Sequence, residues 1–243
     1  MSLRYLHFDL MRALRNTRVM IFTLVTPLLL FAIFGSGQGD QTIGGISAAA
    51  YVMVSMAMFG SMSGALSSGG TIAFERGTGW NRTLRLTPLR SSTYVASKVV
   101  LSLLLAVPPL VLVFAAGVVL DDVRLSAAQW FQVAATAWLG ALPFAALGIV
   151  IGYVATPDSV QPISALTTIL VAAFGGLWIP VEQMPGWMHS IAELTPAYWT
   201  GLTSRSALTT TGLDTHALWV VLLWTAGLAA IGLRLFRAEA ARA

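Results

Sequence analysis

Six stretches of this sequence contain no Asp, Glu, Lys or Arg. They lie between Arg18 and Asp40, Asp40 and Glu75, Lys98 and Asp121, Arg124 and Asp158, Asp158 and Glu182, and Asp214 and Arg234. A helix rises about 1.5 Å per residue, so about 20 apolar residues cross the hydrocarbon core of a bilayer. None of the gaps holds two crossings and a turn. The spacing therefore predicts six transmembrane helices, at residues 19–35, 46–73, 99–120, 127–154, 161–179 and 217–233. Only 10% of the 243 residues are charged, against about 25% in a soluble domain, too few to cover a water-facing surface. No linker, low-complexity tract or repeat divides the chain. Residues 1–243 read as a single all-α polytopic membrane domain.

Lys and Arg set the orientation of such a chain. With the N-terminus inside, the cytoplasmic side receives Arg4, Arg12, Arg15 and Arg18, then Arg76, Arg82, Arg85, Arg90 and Lys98, then Arg234, Arg237 and Arg242. Of the 14 basic residues only Arg124 and Arg205 fall outside. Both termini are expected to be cytoplasmic. Trp130, Trp178 and Trp219 at the outer ends of spans four, five and six fit the interfacial preference of tryptophan. The first span starts late and lacks a small-residue cleavage pattern, so it is read as retained rather than as a signal peptide.

Three segments lie between the spans. Leu3, Leu6, Leu10 and Leu14 form a helical stripe, with the N-terminal arginines mostly off it, which predicts an amphipathic helix in the inner interface. After span five, Trp187, Met188, Ile191, Ala192 and Leu194 follow a helical pattern between Pro185 and Pro196. This predicts a short interfacial or re-entrant helix. His189 and Glu193 in it are four apart, a spacing shared by surface pairs and metal ligands, but two ligands make a poor metal site. The third segment, Glu75 to Lys98, gathers five cations and one anion. It also places Trp80 and Leu84 on one face of a short helix that Pro88 would stop. Charge alone would serve as a topology anchor, but it does not call for Trp80 and Leu84 in a cytoplasmic loop. Lipid or a partner protein would receive them.

No charged residue falls in the middle of a predicted span, which argues against a carboxylate-relay transporter or a charged ion pore. "GSMSG" at 60–64 lacks the setting of an intramembrane serine protease, and no Gly-x-Ser-x-Gly elbow occurs. No catalytic or metal site is expected. The chain has no cysteine, which removes thiolate metal chemistry. No phosphate-binding loop is present, so ATP cannot be held by that motif. Span two is rich in small residues; Gly60 and Gly64 form a Gly-x-x-x-Gly that Ser68 continues. Close helix packing is one reading and a weakly polar lining the other. Gly175 and Gly176 are positioned to loosen the end of span five.

The layout resembles the ABC type-2 transporter permeases, the bacterial daunorubicin-resistance type in particular. The resemblance rests on the basic N-terminal helix and on the loop carrying Glu75-Arg76, Gly77-Thr78, Leu84, Thr87-Pro88-Leu89, Tyr94 and Lys98. It rests also on "GGLWIPVEQMPGWMHSIAELTPAYW" after span five. Asn81-Arg82 stands where many relatives have an acidic residue. The resemblance implies the permease subunit of an ATP-driven exporter of hydrophobic or amphiphilic compounds (drugs or antibiotics, lipids or peptides) in the bacterial cell membrane. It implies a second permease copy and two separate ATPase subunits carrying ATP and Mg, with no cofactor on this chain and no nucleic-acid partner. Glu75, Arg76, Trp80, Arg82, Leu84 and Arg85 would then couple to the ATPase. Ser55, Ser63, Ser67, Thr167 and Phe174 in spans two and five would line the path. Alternatives on the same sequence are a polysaccharide or lipid-linked exporter, and a membrane scaffold or sensor that transports nothing.

Overall fold

A computed structural model describes residues 3–35, 37, 41–79, 91–209 and 212–242. The chain is built from helices α1 (Leu3–Leu14), α2 (Thr17–Phe34), α3 (Ala48–Leu66), α4 (Ser68–Gly77), α5 (Ser91–Asp121), α6 (Ala127–Leu139), α7 (Leu142–Val154), α8 (Val160–Phe174), α9 (Gly186–Ala192), α10 (Pro196–Ser206) and α11 (Thr215–Arg242). The chain is all-α as expected, apart from one short hairpin among the described residues, β1 (Thr42–Ile43) paired antiparallel with β2 (Ile46–Ser47). Its two-residue turn is Gly44-Gly45, both at positive φ, the backbone that tight hairpins require.

Among the described residues four helical stretches are long and apolar enough to cross a membrane: Ala48–Gly77, Tyr94–Asp121, Ala127–Val154 and Thr215–Glu239. They are the expected spans two, three, four and six. Span one qualifies only as a pair with α1, bent by 64°. Asn16 sits at the bend and its side chain accepts the Val19 N–H, capping α2. The fifth expected span is shorter as a helix than the sequence suggests. α8 has 15 residues, about 22 Å, against a hydrocarbon core of about 30 Å. Gly176, at φ +78, reverses the chain, and the Leu177 N–H returns to the Ala172 carbonyl, a Schellman-type stop.

α3 is the axis of the fold. All 19 of its residues are buried, against α2, α5, α6, α7, α8 and α10. Its small residues allow this. A side chain at Gly64 would collide with the Leu105 carbonyl oxygen of α5, so the two backbones meet directly. Pro108 and Pro109 lie within the continuous helix α5 about one turn further on, and carbonyls in the turns before them take side-chain donors: Trp138 Nε1 to Leu103 O and Ser61 Oγ to Ala106 O. Gly69 of α4 meets the Gly148 carbonyl of α7 in the same way.

α1 turns Leu6 and Leu10 of its leucine stripe toward protein, where they pack on Met20, Leu101 and Leu105, while Leu14 of the stripe is exposed, as are Phe8 and Met11. The segment after α8 holds two helices where one was expected. α9 shows Trp187 and Ile191 outward, whereas α10 is inserted among α3, α6 and α11 and buries Thr200, Thr203, Ser204 and Arg205.

Candidate functional site

α4 runs to Gly77 and α5 begins at Ser91, so Glu75 and Lys98 lie within helices rather than in the loop between them. Tyr94 and Lys98 are one turn apart on α5 and both point at α4. Lys98 Nζ is 2.7 Å from Glu75 Oε1 and 2.7 Å from Asp9 Oδ2 of α1. Tyr94 donates its hydroxyl to the other Glu75 oxygen at 2.6 Å. The cluster is dry: Lys98 is 0% exposed, Glu75 3% and Asp9 7%. Buried ions are tolerated when paired and hydrogen-bonded, and each costs several kcal/mol when they are not. This lysine, the only one in the chain, locks α1, α4 and α5 together.

The next residue faces the other way. Arg76 Nε reaches both oxygens of Glu239 on α11, at 2.9 and 2.8 Å. Its Nη1 donates to the carbonyls of Gly152 and Ala155 at 3.0 and 3.3 Å, a cation placed on the open C-terminal carbonyls of α7. The Tyr153 ring lies beneath the guanidinium. Gly77 follows with its Cα against Pro157. Adjacent residues at the end of α4 thus tie the root of segment 80–90 to α1 and α5 on one side and to α7 and α11 on the other. Both ends of the described chain meet at this end of the bundle.

Of the expected coupling residues, Glu75 is buried and its carboxylate is engaged by Lys98 and Tyr94. Arg76 is partly exposed but held internally. Trp80, Arg82, Leu84 and Arg85 lie outside the described residues.

A cleft of about 640 Å³ opens between α2, the α3–α4 junction and α8. Ser63 and Ser67 line it, as do Asn16, Thr23, Gln161 and Thr168. Ser63 and Thr168 donate their hydroxyl protons back to carbonyls of their own helices and Ser67, at the α3–α4 junction, donates to the Gly64 carbonyl of α3, which leaves lone pairs toward the cleft. Of the other expected path residues, Thr167 is replaced on this wall by its neighbour Thr168. Phe174 is half-buried at the far end of α8.

Ser55 is 1% exposed and accepts a hydrogen bond from Arg205 Nη1 at 3.2 Å. Arg205, expected in an outer loop, is 4% exposed. Its guanidinium stacks on Tyr51, 4.6 Å from the ring centroid. Tyr51 in turn donates to Glu182 at 3.1 Å. This is a brace between α3, α10 and the turn after α8, at the end of the bundle opposite Lys98. Arg205→Met is expected to destabilise the purified chain by about 2 kcal/mol, from the lost charged hydrogen bond and cation–π contact. Thermal unfolding in detergent would show it as a lowered melting temperature, and an unchanged one would mean that Tyr51 and Glu182 hold this end alone. His189 and Glu193 form a surface pair at 3.6 Å.

The described geometry, a helical bundle with a charge-locked segment at one end, has a family. A model of the family described as "ABC-2 type transporter" matches residues 5–209. The chain belongs to this family. The Bacillus subtilis (strain 168) protein named "Putative transport permease YvfS" is 30% identical over 191 residues, covering 78% of each chain. In this ABC-2 permease the matched stretch contains Asp9, Glu75, Lys98 and Arg205, while Glu239 on α11 lies beyond it. ABC-2 permeases work with ATPase subunits, and the permease itself is a transport component rather than an enzyme.

Asp9 carries a weak signal of its role in the sequence. It lies three residues after Leu6 and next to Leu10, an acid on the stripe that packs inward. In the sequence Lys98 reads as a topology anchor, because a charge bordering a charge-free gap looks the same whether it meets water or a carboxylate.

Proposed function

We propose that this ABC-2 permease is the membrane subunit of an ATP-driven exporter that moves a hydrophobic or amphiphilic compound out of a bacterial cell. Two copies pair with each other and with two ATPase subunits, which carry ATP and Mg. The asymmetry of basic residues supports a cytoplasmic position for the end bearing α1, Glu75 and Glu239. Six crossings with α8 as the short fifth suit this orientation, since the start of α1 and the end of α11 meet at one end.

The observation that carries the reading is the double anchorage of Glu75 and Arg76. A segment that passes force from an ATPase to a membrane bundle needs a stiff root. Here its root is joined to four helices by buried or half-buried ion pairs and carbonyl contacts. Segment 80–90 supplies the ATPase contact through Trp80, Arg82, Leu84 and Arg85. Glu75 and Arg76 act through the position of that segment. Ser63 and Ser67 lie on the route of the cargo.

Leu84→Asp or Arg85→Glu is expected to lower cargo-stimulated ATPase activity of the reconstituted complex about tenfold, the effect of removing an anchor worth about 1.4 kcal/mol. Membrane insertion should be unaffected. Full stimulation in both variants would overturn the assignment of the segment.

A further inference from the structure

The 640 Å³ cleft continues into a second one of about 220 Å³ that runs toward α1. Asn16, Val19, Ser67, Phe74 and Gln161 belong to both, and the smaller adds Arg12. The joined space is polarised along its length. The Arg12 guanidinium lies at the α1 end, and the Asn16 and Gln161 amides lie where the two parts join. The larger part has apolar walls from Phe22 and Leu66, shares Phe74 with the smaller, and holds the hydroxyls of Ser63, Ser67 and Thr168, whose protons are already engaged.

Its charge is one-sided. Neither cleft is lined by an aspartate or glutamate. Arg12 makes no salt bridge among the described residues, while Asp9, three residues before it, is paired with Lys98. Asp158, three residues before Gln161, is exposed and lines neither cleft. A cationic head placed here would meet Arg12 with no carboxylate to offset it. An anionic head would meet a guanidinium suited to carboxylate or phosphate and two amide donors. The volume is that of a pocket for a drug-sized molecule.

We propose that the cleft selects amphiphiles with an anionic head, carboxylate or phosphate, seated by Arg12, Asn16 and Gln161 with the apolar body along Phe22, Leu66 and Phe74, and that it discriminates against cationic heads. This rests on the export reading, because it names the class of cargo at the same site.

The test uses the permease–ATPase complex in nanodiscs of zwitterionic lipid. Three photoreactive dodecyl probes are compared, bearing a phosphate, a carboxylate or a trimethylammonium head. Labelled peptides are identified by mass spectrometry. The two anionic probes should label the peptides containing Phe22, Leu66 or Phe74 at concentrations about tenfold below those the cationic probe needs, as expected when one head is attracted and the other repelled by a single nearby charge. Arg12→Gln should bring the probes level and Arg12→Glu should invert their order. Ser164→Trp, which fills the larger cleft, should suppress labelling by all three.

Equal labelling by anionic and cationic probes, an order unmoved by Arg12→Glu, or no labelling of these peptides would overturn the proposal. Phosphate-only labelling would confine the site to phosphate heads and overturn the carboxylate half. ATP-dependent uptake of the same probes into inside-out vesicles separates the two levels. Selective labelling without uptake of any probe supports the cleft's selectivity and sinks the export reading. Equal uptake of anions and cations sinks the selectivity and leaves export standing.

Discussion

Replacing Lys98 by Met should cost this protein about 3–5 kcal/mol, the usual penalty for removing one partner from a buried ion cluster. The methionine fills a similar volume, so the loss is electrostatic. Asp9 and Glu75 both lie within 2.7 Å of the missing ammonium. Without it two buried carboxylates face each other, and among the described residues only Tyr94 still donates to one of them. A total stability of about 5–15 kcal/mol is ordinary for a domain, so the variant should give much less folded material and melt well below the wild type in detergent. The decisive control neutralises the whole cluster. Lys98→Met combined with Asp9→Asn and Glu75→Gln buries no ion, and most of the melting temperature should return. If Lys98→Met melts like the wild type, the cluster does not hold α1, α4 and α5 together. If the triple variant melts no higher than the single, the loss comes from packing rather than from stranded charge.

The other large effect should come from a glycine. Gly64→Leu adds a branched side chain where even a Cβ would strike the Leu105 carbonyl. The obstacle is backbone, held in α5 beside Pro108 and Pro109, and cannot rotate away. Overpacking typically costs about 1–3 kcal/mol and more where relief requires helices to separate. Since α3 is buried along its whole length, a shift there displaces neighbours on every side. Gly64→Leu is expected to abolish folded yield, as judged by fluorescence-detected size exclusion. Gly227→Leu is the counterpart: a side chain there meets nothing within 4 Å, so its yield and melting temperature should match the wild type or exceed it slightly, since leucine favours the helix by nearly 1 kcal/mol over glycine. Equal behaviour of the two variants would refute the close-contact account of Gly64.

Much of this arrangement could be read from residues in order. Charge-free runs located every long helix, because transfer into hydrocarbon depends on local composition. The stripe of Leu6 and Leu10 announced α1, but spacing could not tell a lipid-facing stripe from a protein-facing one, and the structure turns it to Met20, Leu101 and Leu105. Gly175-Gly176 marked the end of span five without revealing how early the chain turns. Gly60 and Gly64 admitted both a packing and a lining reading, and the Leu105 carbonyl against Gly64 decides for packing at that position. Ser63 and Ser67 fell on the cleft, whereas Ser55 went to Arg205, since a helix has several faces and one sequence does not say which neighbour meets each.

Composition and order alone determined that this chain is a helical membrane protein, where its apolar segments lie and, through the motif around Glu75, which family it belongs to. Those properties are local, set by each segment's own hydropathy and spacing. Only the tertiary structure decided which charges leave water. Asp9, Glu75 and Lys98 are 89 residues apart at most, and nothing in their separate contexts marks them as partners. Their pairing exists because α1, α4 and α5 pack so that three ionisable side chains reach one dry point, and ion burial is stable only where such convergence supplies the opposite charge.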